Sequence, residues 1–347
     1  MLISAIVVVG EPPAGGEAGD ECLPAGGVSP MRSPLACVEI LGQSALERTV
    51  QRLHRSAGVK SISVLTPDGI APVAPKRPSF RGCRVIQQPV DGRQFSEVLQ
   101  EQAQAGADAV LFIRLGAYVE FDFADLAQFH GGSGRAVTQV HDAKGPVDVW
   151  IINVHPARCD SYGINFGGRV LAGANSGAPY LCNGYVNRLT TAADLRGLVV
   201  DSLLGRCSIQ PAGREVKPGI WMDDSASVHR TARIVAPAYV GSAAKVGASA
   251  LVTRCSNIEH HSEIGAGTAV NNSTILPYTR IGKALRVTAS VVEGNRLTHL
   301  GHNISIDIED PHFLQATAVL RAQEGRQTSV GLGSLPATSS LNFSEGD

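Results

Sequence analysis

The chain has 347 residues, and its 30 Lys and Arg almost balance 31 Asp and Glu, for a formal net charge of −1. With 18% charged and 5% aromatic residues it carries neither the basic footprint nor the stacking surface of a nucleic-acid partner, and it has no apolar run long enough to cross a membrane. The length suffices for two domains with their own cores, and seven scattered cysteines without a CxxC spacing read as reduced side chains of a cytosolic protein.

Residues 2–9 (LISAIVVV) are a β-branched run ending at Gly10, the pattern of a buried strand. Without a basic segment before it, the run is expected to be a strand and not a signal peptide. Residues 11–34 are rich in Gly and Pro, and Arg32 is their only basic residue. Ser44 to Ala57 predicts a helix, with Leu46, Val50 and Leu53 on one face and Gly58 as its stop. Ser61 to Leu65 and Arg84 to Gln88 follow as strands, Glu97 to Ala105 as a helix, and Ala109 to Ile113 as another buried strand. Asp122 to Phe129 predicts a helix running toward His130, and Thr190 to Leu204 one capped by Thr190 or Thr191. Strands alternating with helices imply an α/β layered domain with a largely parallel sheet.

From Val228 onward the periodicity changes. Aliphatic residues occupy every sixth position at Val228, Ile234, Val240, Val246, Val252, Ile258, Ile264, Val270 and Leu276. A small residue stands two places before each, from Ala226 to Thr274. Neither a helix nor a plain strand has that period, whereas a three-sided hexapeptide coil does, its aliphatic residues filling the prism. Gly241, Gly247, Gly265 and Gly282 follow aliphatic positions, where tight turns are expected. The step shortens to five between Leu276 and Ile281, which reads as a slipped corner, and recovers at Val287. Asn303 to Asp310 alternates as a closing strand stopped by Pro311, and the Gly-, Ser- and Thr-rich end of the chain reads as disordered. The expected division is an α/β domain over 1–218, a coil over 219–312 and a tail over 313–347.

The hexads resemble left-handed parallel β-helices. Three further segments widen the likeness: PLACVEILGQSALERTVQRL (34–53), DFADLAQFH (122–130) and GIWMDDSASVHRTARI (219–234). Together, over residues 2–312, the order of parts resembles the sugar-1-phosphate nucleotidyltransferases, in the layout of the mannose-1-phosphate guanylyltransferase type. The resemblance implies a Rossmann-like α/β nucleotidyltransferase domain followed by an all-β left-handed parallel β-helix.

In that family a sugar phosphate attacks a nucleotide α-phosphorus. The reaction needs a Gly-rich phosphate loop, cations on the developing charge and carboxylates for Mg²⁺. The family's loop reads GG-x-G-T-R followed by Lys-Pro. Here Gly15-Gly16 and Gly26-Gly27 lack the G-T-R, and Ser33 precedes Pro34. Leu115-Gly116-Ala117 stands where the family has a metal-binding Gly-Asp, and Asp122 downstream better suits a helix start. Losing Arg, Lys and Asp together leaves no ordinary route to catalysis.

The resemblance therefore implies a regulatory relative or pseudo-enzyme of nucleotide-sugar and polysaccharide metabolism, binding a nucleotide or nucleotide sugar. Candidate contacts are Gly10, Arg32, Asn183 and Asn187, with no metal ligand assigned. Each has a plainer reading: Arg32, like Glu17, Asp20 and Glu21, in a solvated loop, and 183–187 as a turn before a capped helix. Asp223 and Asp224 read as corner and cap residues. Two alternatives stay open. One is an active transferase, using Mg²⁺, with its phosphate and metal groups relocated into 11–34. The other is an acyltransferase whose base is an exposed histidine of the coil, His260 or His261, with His299 and His302 further along. The expected protein partner is a second copy or an active paralogue, joined through the β-helix.

Overall fold

The computed structural model describes residues 1–9, 34–56, 58–66, 81–87, 92–154, 164–165, 169–170, 179–302 and 304–317. Gly10, Arg32, the 11–33 loop and the tail beyond 317 lie outside the described residues.

The first part is built from β1 (Ile3–Val8), α1 (Ala45–Arg55), β2 (Val59–Thr66), β3 (Arg84–Gln87), α2 (Gly92–Gln104) and β4 (Ala109–Arg114). It continues through β5 (Ala117–Val119), α3 (Phe123–Ser133), β6 (Val137–Asp142), β7 (Gly145–Asn153), β8 (Tyr180–Leu181), β9 (Val186–Arg188) and α4 (Ala192–Leu203). Seven of the strands form one sheet in the order β8-β6-β7-β4-β1-β2-β3.

The sheet is mixed. β1 runs parallel to β2 and β4, and β2 parallel to β3, but β7 runs antiparallel to both β4 and β6. The β6–β7 hairpin causes this: its turn is tied by the Lys144 amide donating to Asp142 (2.8 Å) and by Gly145 at φ 119°. Every residue of β1 is buried, as a central strand covered on both faces requires. Ala45, Leu46, Val50 and Leu53 of α1 cover one side, while Leu99 of α2 joins Phe112 and Trp150 on the other.

α1 begins at Ala45 because Ser44 and Glu47 form a reciprocal capping box, and it ends at Ser56, ahead of Gly58. α2 starts five residues before the expected Glu97, and α3 runs past His130 to Ser133. His130 is a satisfied core residue, its two ring nitrogens 2.8 Å from Thr138 and Asn153.

The second part is a β-helix-like solenoid. β10 (Arg214–Lys217) pairs antiparallel with β11 (Ile220–Met222), and two- and three-residue strands then fall in rotation on three sheets. One sheet continues from β11 through Ala238–Val240, Asn257–Ile258 and Thr274–Ile275 to β12 (Ser290–Glu293). It then finishes as an antiparallel meander of β13 (Arg296–His299) and β14 (Ile304–Asp307). β15 (Leu314–Ala316) closes the second sheet against Thr279–Ile281.

The register corrects the hexad reading at its last position. Tyr239 pairs with Asn257, eighteen residues on, whereas Ile258 pairs with Ile275, seventeen on. Ile275, and not Leu276, therefore fills the prism; Leu276 points the other way, into the core of the α/β part. The short steps run from Val270 to Ile275 and from Val287 to Val292, at one corner in two successive turns. In the full-length turn that corner uses two left-handed residues, Arg254 and Cys255; each short step uses one, Asn272 or Ala289. One residue fewer in the bend removes one residue from the turn.

The glycines also have a different cause from the one expected. The left-handed corner residues are mostly not glycine: Ala243, Ser249, His261, Tyr278 and Ala284 all have φ between 52° and 57°. Gly241 and Gly265 are instead places where successive turns touch. A Cβ on Gly241 would lie 2.9 Å from the His260 nitrogen, and one on Gly265 would overlap the Gly282 carbonyl.

The small positions carry polar work as well. Ser273 Oγ accepts from the Ser290 amide and Ser256 Oγ from the Ser273 amide, both at 3.2 Å. Thr268 accepts from the Leu285 amide at 3.1 Å and Ser262 from the Thr279 amide at 3.3 Å. These fully buried hydroxyls satisfy N–H groups at or beside the corners.

Candidate functional site

The sheet has a topological switch point. From β1 the chain moves outward through β2 and β3, then crosses back to place β4 on the other side of β1. In open α/β sheets such a reversal leaves a crevice beyond the strand ends where ligands bind. The Leu115 amide donates to the Val8 carbonyl (2.8 Å) and the Val9 amide to Leu65 (2.9 Å), so the rim is held by backbone.

One ion pair occupies this edge. Arg114 Nε donates to Asp148 Oδ2 at 2.7 Å, and Asp148 comes from the neighbouring strand β7. Leu115 is buried in the apolar core and Gly116 faces Asp148, so the carboxylate near the end of β4 is held by a guanidinium. Gly10 and Arg32 fall outside the described residues.

The described residues do not fit Mg²⁺, which needs several oxygen ligands in near-octahedral array. Asp148 is engaged by Arg114. Asp122 caps α3, accepting from the Ala124 and Asp125 amides (2.8 and 3.3 Å), as a helix-start residue should. Glu120 accepts from Tyr118 (2.9 Å) and from the Ser208 amide and hydroxyl (2.8 and 2.6 Å). Among the described residues no three His, Cys, Asp or Glu side chains gather to hold a metal.

Asn183 and Asn187 lie on one segment but differ in surroundings. Asn183 is exposed, beside Gly184, whose backbone touches the Glu120 carbonyl so closely that a Cβ there would overlap it. Asn187 on β9 donates through Nδ2 to the Asp194 carbonyl (3.0 Å) and to the Tyr185 hydroxyl (3.5 Å). It thus braces the first turn of α4, where Thr191 and Asp194 form a capping box. Asp223 likewise ties a turn through Ser225, and Asp224 pairs with Arg214 at the surface.

Of the two solenoid histidines expected to be exposed, one departs from that expectation. His260 is not exposed: its side chain is 15% accessible and Nδ1 lies 3.2 Å from Glu39 of the α/β part. His261 is exposed and stacks on Tyr278, ring centroids 5.0 Å apart. His299 and His302 stack on each other at 4.9 Å.

The contacts that sequence patterning missed join the two parts. Glu259 is fully buried and accepts from the Leu41 amide (2.6 Å), the Gly42 amide (3.2 Å) and Asn257 (2.7 Å). Burial raises its pKa to about 7 against the lowering effect of those donors. The two amides belong to a tight hairpin turn, with Leu41 at φ 53° and Gly42 at φ 87°. On α4, buried Arg196 donates to the carbonyls of Cys255 (2.8 Å) and Arg254 (3.2 Å) and to Asn272 (3.1 Å). Burial lowers its pKa to about 10, which leaves it protonated at neutral pH. Partners separated by 218 or 59 positions leave no trace in local periodicity.

No protein-family model matches the chain, and no curated protein is detectably similar to it. No helix among the described residues is long and apolar enough to cross a membrane.

Proposed function

We propose that the chain is a non-catalytic, Rossmann-like relative of the sugar-1-phosphate nucleotidyltransferases with a left-handed β-helix. On this reading it binds a nucleotide or nucleotide sugar at the switch point between β1 and β4 and works in the cytoplasm, in nucleotide-sugar metabolism. The observation that supports the reading is the Arg114–Asp148 pair at that crevice. A phosphate ligand would compete with Asp148 for the Arg114 guanidinium, and a carboxylate already held by that guanidinium is poorly suited to a catalytic metal. Gly10 and Arg32 would supply further phosphate contacts, and the solenoid would join a second copy or an active paralogue.

A thermal-shift panel of nucleoside triphosphates and nucleotide sugars, with and without Mg²⁺, tests this. A ligand at a hundred times its Kd adds about 2.7 kcal/mol of stability. The expected result is a shift with one of these ligands that Mg²⁺ does not change and that Arg114→Ala abolishes. Mg²⁺-dependent pyrophosphate release from a nucleoside triphosphate and a sugar phosphate, at enzyme-like rates, would overturn the non-catalytic reading.

A further inference from the structure

A second cleft lies away from the switch point, between α1, β5 and residues 208–212, with a volume of about 480 Å³. Its lining includes none of the residues at the ends of β1 and β4. Arg48, Arg52 and Arg55 stand along it at the i, i+4 and i+7 positions of α1, so one helix face carries three guanidinium groups. Gln43, Gln51 and Gln210 complete its polar wall.

The first two guanidinium groups are held by carbonyls and not by carboxylates. Arg48 donates to Ile40 (3.0 Å), Leu41 (3.2 Å) and Gln210 (3.4 Å), and Arg52 to Val119 and to Phe121 (3.0 Å). Such bonds fix the forks without cancelling their charge. Arg52 also lies 5.6 Å above the Phe123 ring, which restricts it further. Arg48 is 8% exposed, and its Nε is a buried donor with no partner. Among the described residues none of the three forms an ion pair. The acids nearby are otherwise engaged: Glu120 by Tyr118 and Ser208, Glu47 in the capping box, and Glu259 behind the Leu41–Gly42 turn.

Glu47 and Glu259 act on Arg48 only through space, and no carboxylate is bonded to Arg48, Arg52 or Arg55 among the described residues, so the row can receive an anion. At a rise of roughly 1.5 Å per residue, the row from Arg48 to Arg55 spans about 10 Å, too far for one phosphate group and suited to two. The geometry points to a binding site for a small metabolite carrying two phosphate groups, with glutamine amides for its hydroxyls. The volume is within the range of roughly 300–1,000 Å³ common for small-molecule sites.

Isothermal titration of the full-length protein tests it, with pyrophosphate as the probe and succinate as a carboxylate of similar span. Arg55→Gln removes a charge that forms no hydrogen bond or ion pair among the described residues, and Arg230→Gln removes an exposed one outside the cleft. Saturable pyrophosphate binding is expected, weakened about tenfold by Arg55→Gln, unchanged by Arg230→Gln, and much tighter than succinate. Arg52→Gln should weaken it similarly, with a melting curve to show that the variant is folded. Absence of saturable binding at millimolar pyrophosphate, equal Kd values for Arg55→Gln and the parent, or succinate binding as tightly as pyrophosphate would each overturn the assignment.

Discussion

Glu259 shows how one side chain can make stability depend on pH in an unusual direction. Most acids that matter to folding have pKa values held down by partners, and their contribution is lost on acidification. Here desolvation exceeds the three donors, and the pKa rises from 4.5 to about 7. The folded chain thus binds a proton that the unfolded chain has released between these values, so this group's contribution declines as pH rises through that window. Glu259→Gln should flatten the dependence. Melting temperatures from pH 4.5 to 8 are expected to converge between parent and variant at the acidic end, where Glu259 is neutral like Gln, and to separate as pH rises with the parent falling; parallel curves would refute the assignment. A hexad reading can identify position 259 as one step past an aliphatic residue, but not that a hairpin from the amino-terminal part covers it.

At the scale of elements, the solenoid's apolar register was legible because a single repeated rule wrote it into the chain. Ala238, Val240, Val246, Val252, Ile258, Ile264 and Val270 all lie in one buried cluster. The rule misled at Leu276, where an aliphatic residue continued the count while the prism had already closed on Ile275. Two adjacent aliphatic residues cannot be told apart by type alone; only the number of left-handed residues at the preceding corner decides between them. The glycines give a test of the contact account. Gly265→Ala should cost about 1–3 kcal/mol in urea denaturation, as overpacking does. Ala243→Gly should be neutral or gain up to about 1 kcal/mol, since it relieves a left-handed residue without removing an inter-turn contact. If tight turns and not contacts set the glycine positions, Gly265→Ala would be as mild as the second change. In the α/β part the helix and strand periods gave most elements. The antiparallel β6–β7 hairpin escaped, because its direction comes from a two-residue turn and not from strand composition. The candidate site was legible only in outline: the buried strand ending at Ile113 could be read, whereas the Arg114–Asp148 pairing depends on strands adjacent in space.

For the molecule as a whole, the two parts share a core. Tyr239, Leu276 and Val291 of the solenoid sit in the same apolar cluster as Leu46 of α1 and Leu195 of α4. Arg196 pins that cluster through three acceptors on the solenoid. Removing a buried donor strands its partners, so Arg196→Ala should cost about 2–4 kcal/mol and uncouple the parts. Trp150 lies in the sheet and Trp221 in the solenoid, and they are the chain's two tryptophans. Single-tryptophan variants should melt together in the parent background and apart with Arg196→Ala. Coincident transitions in both backgrounds would show that the apolar cluster alone carries the coupling.

The change from eighteen-residue to seventeen-residue turns also sets how this chain could have lengthened or shortened over evolution. A duplicated segment of one whole turn would return every later side to its own sheet and extend the column by about 4.8 Å. A six-residue insertion would keep the inside in and the outside out, yet rotate all that follows by one side. Glu259 and Arg196 forbid such rotation in the turns they bind, because each ties one particular side of the column to the α/β part. Growth is therefore quantised, and it is free only beyond the turns that the α/β part grips.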